Sequence, residues 1–158
     1  MSSKLHAGFT VELSNAGRRM RKLFDAHVRE RGLTLPRART LLLLAQDRSW
    51  NQRELADALE IEHPSVVRLL DGLERQGLIT RTEVEGDRRA KQISLTDIAR
   101  AQVAELELLT ARIRSELLDG IPQEDIATAL RVLQRLGENG DARLQAARKP
   151  MGQGDESL

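Results

Sequence analysis

Ser65, Arg68, Gly72 and Arg75 recur at intervals of three and four, so on a helix they form one continuous stripe. Val66, Leu70 and Leu73 keep the same spacing and form an apolar stripe on the opposite side. Such a helix buries one face and offers hydroxyl and guanidinium groups near its start on the other. A guanidinium is a planar fork of donors that fits guanine O6 and N7, or a phosphate, bidentately. Backbone N–H groups at a helix start also attract phosphate. Arg68 is therefore the best candidate for a base edge, and Ser65 for a base edge or a phosphate. His63, Asn51 and Gln52 sit at expected helix starts, where phosphate contacts are common. A second basic cluster, Arg88, Arg89 and Lys91, lies just beyond Gly86. An extended arginine fits the concentrated negative potential of a narrow minor groove. Asp87 would repel phosphate if it pointed outward, so it is expected to pair with an arginine and shape the segment.

The surrounding pattern supplies elements that position these groups. Gly8 to Arg31 carries an apolar stripe through Phe9, Leu13, Ala16, Met20, Leu23, Phe24, His27 and Val28, and Gly32 ends that helix. Thr34 is the expected cap of a second helix with Pro36 in its first turn. Its Leu41–Leu44 run is apolar on more than one face and reads as central. Asn51 with Glu54 makes a capping box, and Trp50 before it can staple onto Leu55. That third helix is short and ends near Leu59. His63-Pro64 opens a fourth that runs to about Gln76, with Gly77 as its terminating glycine. The period then changes. Leu78–Val84 is β-rich, Glu85-Gly86-Asp87 is a turn, and Arg89, Lys91, Ile93 and Leu95 alternate with Arg88, Ala90, Gln92 and Ser94. Thr96 caps a long fifth helix, Gly120-Ile121-Pro122 breaks it, and a sixth carries Ile126, Leu130, Leu133 and Leu136. Gly137 and Gly140 are expected to weaken its end, and the tail from Arg148 to be disordered.

The order short helix, tight turn, capped helix, hairpin defines a winged helix-turn-helix. The fold class is mainly α with a small β wing, flanked by long terminal helices. Residues 1–33 form an N-terminal dimerisation helix, 34–96 the reading unit, 97–146 the C-terminal dimerisation helices and 147–158 a flexible tail.

Composition narrows the function. The 158 residues contain no cysteine, which excludes disulfides, thiolate metal sites and thiol catalysis. Only Phe9, Phe24 and Trp50 are aromatic, against what base-stacking modules need. The amino terminus lacks an apolar signal region, and no aliphatic run approaches a membrane span, so a cytoplasmic protein without membrane association is expected. His6, His27 and His63 fall on separate elements, and neither a nucleophile triad, a phosphate loop nor metal spacing occurs. Neither catalytic residues, a metal nor another cofactor is expected. The net charge of +1 conceals a gradient: +6 over residues 1–48, −2 over 49–96 and −3 over 97–158. The stretch 49–96, of charge −2, must segregate its bases onto one side to meet a polyanion.

The run Ile61-Glu62-His63-Pro64-Ser65-Val66-Val67-Arg68-Leu69-Leu70-Asp71, then Leu73-Glu74, Gly77-Leu78-Ile79, and Asp87-Arg88-Arg89-Ala90-Lys91 before Ile93-Ser94-Leu95-Thr96, resembles the MarR family of transcriptional regulators, most closely its SlyA-like branch. Asp87 and Arg89 fit that family's D-x-R wing pattern. The resemblance implies a homodimer on a pseudo-palindromic double-stranded operator, as repressor or activator. It implies Pro64, Ser65 and Arg68 in the major groove and Arg89 in the minor groove. It also implies release by a small aromatic acid or phenolic effector.

The dimer has an independent argument. A lone winged helix cannot cover the apolar stripes of the long terminal helices. Packing them on a symmetry mate would bury Leu5, Phe9, Leu13, Ile126, Leu130 and Leu133. An intramolecular bundle is the alternative use of the same residues. Arg18 and Arg21, three apart on the first helix, are candidates to hold an anionic effector, although a solvated basic face explains them too. A winged-helix module that binds proteins rather than DNA also remains open at this level.

Overall fold

The computed structural model describes the backbone of residues 2–84 and 87–148 and the side chains of residues 3–83 and 92–147. The element order is α1(Ser2–Arg29), α2(Leu35–Leu44), α3(Gln52–Leu59), α4(His63–Arg75), β1(Ile79–Val84), β2(Asp87–Leu95), α5(Asp97–Leu117) and α6(Gln123–Arg148). Two compact units result, Met1–Glu116 and Leu117–Leu158. Among the described residues this is a mainly α protein with one two-stranded antiparallel sheet, a winged helix-turn-helix.

Helix boundaries follow local chemistry. α1 starts six residues before the stripe that marks it, at Ser2 rather than Gly8. Gly8 sits inside the helix with nothing near its α-carbon, so it costs helix propensity but causes no break. α1 ends at Arg29, and Gly32 turns left-handed at φ 70 while the Leu33 N–H reaches the Val28 carbonyl at 3.0 Å. Thr34 occupies the N-cap of α2 in extended conformation, but its side chain caps nothing. Pro36, in the first turn, has no N–H to offer a capping hydroxyl, and the Arg37 N–H beyond it goes uncapped as well. Asn51 and Glu54 form the reciprocal capping box, with both bonds at 2.9 Å. Gly77 ends α4 at φ 69. Thr96 joins two elements: its hydroxyl donates to the Gly77 carbonyl at 2.6 Å and accepts from the Ala99 N–H at 3.3 Å. It therefore closes the foot of the wing and opens α5.

The end of α6 departs from the expectation of a weakened terminus. The helix continues through Gly137 and Gly140 to Arg148. Each glycine costs roughly 1 kcal/mol relative to alanine, and the strong helix formers Ala142, Arg143, Leu144, Gln145, Ala146 and Ala147 offset it. The expected tail, beyond Arg148, lies outside the described residues.

The core of the first unit gathers α1 to α5 and the wing's foot. Val28, Leu41, Leu55, Leu70, Leu73, Ile79 and Leu106 are all essentially fully buried. Each such side chain contributes about 1.5–3 kcal/mol of transfer free energy, which is what holds α3 and α4 against α2 and α5. Trp50 is buried with Leu55 in this core, its ring lies 3.6 Å from the Arg48 guanidinium carbon, and its carbonyl receives the Ile93 N–H at 3.3 Å. The wing strands pair Ile79 with Leu95 and Arg81 with Ile93, and the register shifts between Glu83 and Val84. Asp87, expected in the turn, is instead the first ladder residue of β2, opposite Val84. Glu85 and Gly86 lie outside the described residues.

Candidate nucleic-acid interface

α4 carries the two faces its spacing predicts. Val66, Leu70 and Leu73 are buried, while Ser65, Arg68 and Arg75 are exposed on the other side. His63 and Pro64 are exposed in its first turn. Pro64 fits there because a first-turn proline gives up an N–H that has no partner within the helix. Ser65 and Val66 both donate to the Glu62 carbonyl, at 2.9 and 3.1 Å.

The surroundings of α4 differ on its two flanks. Ser65, Arg68 and Arg75 line a shallow notch with Arg37 of α2, over an apolar floor that includes Pro36, Ile61 and Leu69. Acidic side chains do not line that notch. On the other flank Arg53 and His63 share a hollow with Asp57, Glu60 and Glu62. The arginine-lined flank is the side a phosphate backbone would favour.

Four acids of this segment are paired off to the sides. Glu54 accepts the Asn51 N–H and stands 3.6 Å from Arg48. Glu60 takes Arg21 at 2.8 Å. Asp71 and Glu74 both hold Arg81: its Nη2 reaches Asp71 Oδ1 at 2.5 Å and its Nε reaches Glu74 Oε2 at 2.9 Å. The Arg81 side chain is 13% exposed. Hydrogen bonding to Arg81, outweighing partial desolvation, holds the Glu74 carboxyl below its ordinary range, and the two carboxylates raise the Arg81 guanidinium. Arg53 and Arg68 make no ion pair among the described residues. This is how a segment of net charge −2 keeps cations for an outside partner.

The remaining expected residues fall as follows. Asn51 is exposed, but its side-chain oxygen is occupied by the Glu54 N–H, so its role in the fold is capping; Gln52 beside it is half-buried. Arg88, Arg89 and Lys91 belong to β2, and their side chains, with that of Asp87, lie outside the described residues. Arg18 bonds Asn15 at 2.9 Å, while Arg21 is engaged by Glu60 of the helix-turn-helix turn. Leu5, Phe9, Leu130 and Leu133 are 73%, 42%, 54% and 40% exposed, and Leu13 and Ile126 are half-buried. Groups of histidine and acidic side chains able to hold a metal do not occur among the described residues, and no described helix is long and apolar enough to cross a membrane.

Sequence reasoning missed four arginines. Arg37 and Arg39 sit on α2, far in the chain from α3 and α4, and only tertiary packing brings them there. Arg39 donates to the Ala58 and Leu59 carbonyls at 3.0 and 3.3 Å, capping the end of α3. Arg53 carried no stripe to mark it. Arg81 had a usable signal: it is two residues after buried Ile79, so the alternation of a strand turns it inward, and an inward arginine requires partners.

A capped helix and a second helix meeting at a tight turn, an exposed arginine stripe on the second and a hairpin behind it define a winged helix-turn-helix regulator. A family model described as MarR family matches residues 31–90. The transcriptional regulator PA3341 is 38% identical to this chain, over 85% of this chain and 98% of its own, with a TM-score of 0.76. This chain belongs to the MarR family of transcriptional regulators. At lower identity it shares its fold with the transcriptional regulator SlyA (18% identical, 89% of this chain and 99% of that one, TM-score 0.75). The same holds for the S. aureus MepR–DNA complex (23% identical, 83% and 96%, TM-score 0.69).

Proposed function

We propose that this chain is a cytoplasmic, homodimeric, sequence-specific DNA-binding regulator of the SlyA-like branch. It reads a pseudo-palindromic operator with α4 in the major groove and the wing in the minor groove. The observation that carries this reading is the notch lined by Arg37, Arg68, Arg75 and Ser65 without an acid. Pro64, Ser65 and Arg68 make the base-edge contacts, His63, Asn51 and Gln52 support them on phosphates, and Arg88, Arg89 and Lys91 serve the minor groove, with Asp87 fixing the wing's shape. The MepR structure, a DNA complex on the same fold, supports duplex DNA as the partner. The Asp87-Arg88-Arg89 motif supports the wing's role, as the family's D-x-R pattern.

Dimerisation follows from α1 and α6 taken separately. Each presents large apolar side chains to solvent: Leu5 and Phe9 on one, Leu130 and Leu133 on the other. A symmetry mate buries them and sets two reading heads about one helical turn of DNA apart, ~34–36 Å. A small aromatic or anionic effector acts at Arg18 and Arg21, where it competes with Glu60 for the Arg21 guanidinium.

The test is selection of bound fragments from the organism's own DNA, followed by titration of the selected duplex against salt. Nanomolar binding that falls steeply with salt, at one dimer per site, is the expected result. Absence of tight, salt-sensitive duplex binding at any fragment overturns the reading in favour of a protein-binding winged helix.

A further inference from the structure

Arg81 occupies an unusual place. It lies on the inward side of β1, two residues from buried Ile79 and opposite buried Ile93, yet it carries a charge. Its guanidinium reaches across to α4 and holds two carboxylates one helical turn apart, Asp71 and Glu74. α4 is the helix whose other face carries Arg68, and β1 is the strand on which the wing hangs. One side chain thus joins the two surfaces that must meet DNA together. The geometry is directional, because a planar fork bonded through both Nε and Nη2 fixes its own orientation as well as its distance. The guanidinium is only 13% exposed, so its end of the cluster is screened less than in a surface bridge, although the carboxylates are 46% and 40% exposed.

We infer that Arg81 is a positioning residue that sets the angle of the wing to α4, and that the wing's contribution to DNA binding depends on this clamp. The inference rests on the DNA-reading function proposed above. Breaking the clamp from either side leaves the wing held only at its foot, by Thr96, Ile79 and Ile93, and loosens its angle to α4. Removing the guanidinium leaves Asp71 and Glu74 repelling each other. Removing the carboxylates leaves a nearly buried cation without partners.

Two variants separate geometry from charge. Arg81→Met lowers the net charge, whereas Asp71→Asn combined with Glu74→Gln raises it. Simple attraction to a polyanion predicts opposite shifts in operator affinity. The clamp predicts that both variants weaken operator binding, by about tenfold, and that adding Arg89→Ala to either costs little more. The carboxylates are partly exposed, so the second variant tests the clamp even if Arg81→Met fails to fold. A DNA-free measurement accompanies these. The chain has no cysteine, so spin labels at Asp57→Cys and Glu83→Cys, in labelled chain diluted with excess unlabelled chain so that each dimer carries one labelled copy, report the wing-to-body distance. One narrow distance in the parent and broad distributions in both variants are expected. Unchanged distances, or operator affinities moving in opposite directions, overturn the clamp. A parent protein that keeps one narrow distance but binds no duplex overturns the proposed function and leaves the clamp to the label distances.

Discussion

Arg21 of α1 and Glu60 of the helix-turn-helix turn form an ion pair at 2.8 Å across 39 residues of sequence. Glu60 is also the one non-glycine residue among those described with a left-handed backbone, at φ 57. The carboxylate is thus held at a position where a side chain is costly. Both partners are more than half exposed, so the pair adds little to stability, ~0–1 kcal/mol. Its interest lies in joining a long terminal helix to the reading unit.

Two substitutions at Glu60 separate strain from pairing. Both Glu60→Ala and Glu60→Gly lose Arg21, but only glycine relieves the left-handed backbone. Chemical denaturation should find the glycine variant more stable than the alanine variant by about 1 kcal/mol. Equal stabilities would mean the turn relaxes when the ion pair is gone.

Arg21 also bears on the effector. If an aromatic carboxylate binds there, Glu60 is its competitor. Glu60→Gln should then tighten binding of benzoate or a related acid, measured by calorimetry, while Arg21→Gln should abolish it. Identical affinities in both variants and the parent would remove Arg21 from the effector site.

Base reading and backbone attraction have different signatures. Arg68→Ala should cost ~1–3 kcal/mol on the operator and relax the preference at one base pair. Arg89→Ala should weaken all sequences more evenly and flatten the dependence of log affinity on log salt by about one. Competition between the operator and single-base variants of it, repeated at several salt concentrations, measures both. If both variants keep the parent's affinity, the reading residues lie elsewhere.

Acid should loosen the wing. Arg81 depresses the Glu74 carboxyl, so the folded state binds that proton less readily than the unfolded chain. The contribution is fully present above the unfolded-state carboxyl range and is lost as pH falls through the lowered folded value. Thermal melts from pH 7 downward should show this loss in the parent and a shallower one in Arg81→Met. Parallel pH profiles would show that Glu74 gains nothing from its partner.

The end of α3 gives a stability prediction. Arg39 satisfies two carbonyls at the C-terminus of α3, where the helix dipole is negative. Arg39→Met keeps much of the packing and removes the donors, and should cost roughly 1–3 kcal/mol in urea unfolding. Asn51→Ala at the other end removes the capping box and should cost about 1 kcal/mol.

Much of this protein was legible in its sequence because the relevant forces act within one or two turns. The capping box at Asn51 and Glu54, the glycine stop at Gly77 and the opposed stripes of α4 depend on neighbours three or four residues away, and all three appear as spacing implies. Local chemistry misled where a competing local effect was overlooked: Pro36 removes one of the two N–H groups that Thr34 could cap, and the alanine-rich end of α6 carries the helix past two glycines. Tertiary structure alone decided the electrostatics. Which partners Arg21, Arg37 and Arg39 meet depends on elements up to 39 residues distant, since electrostatic attraction follows distance in space and not along the chain.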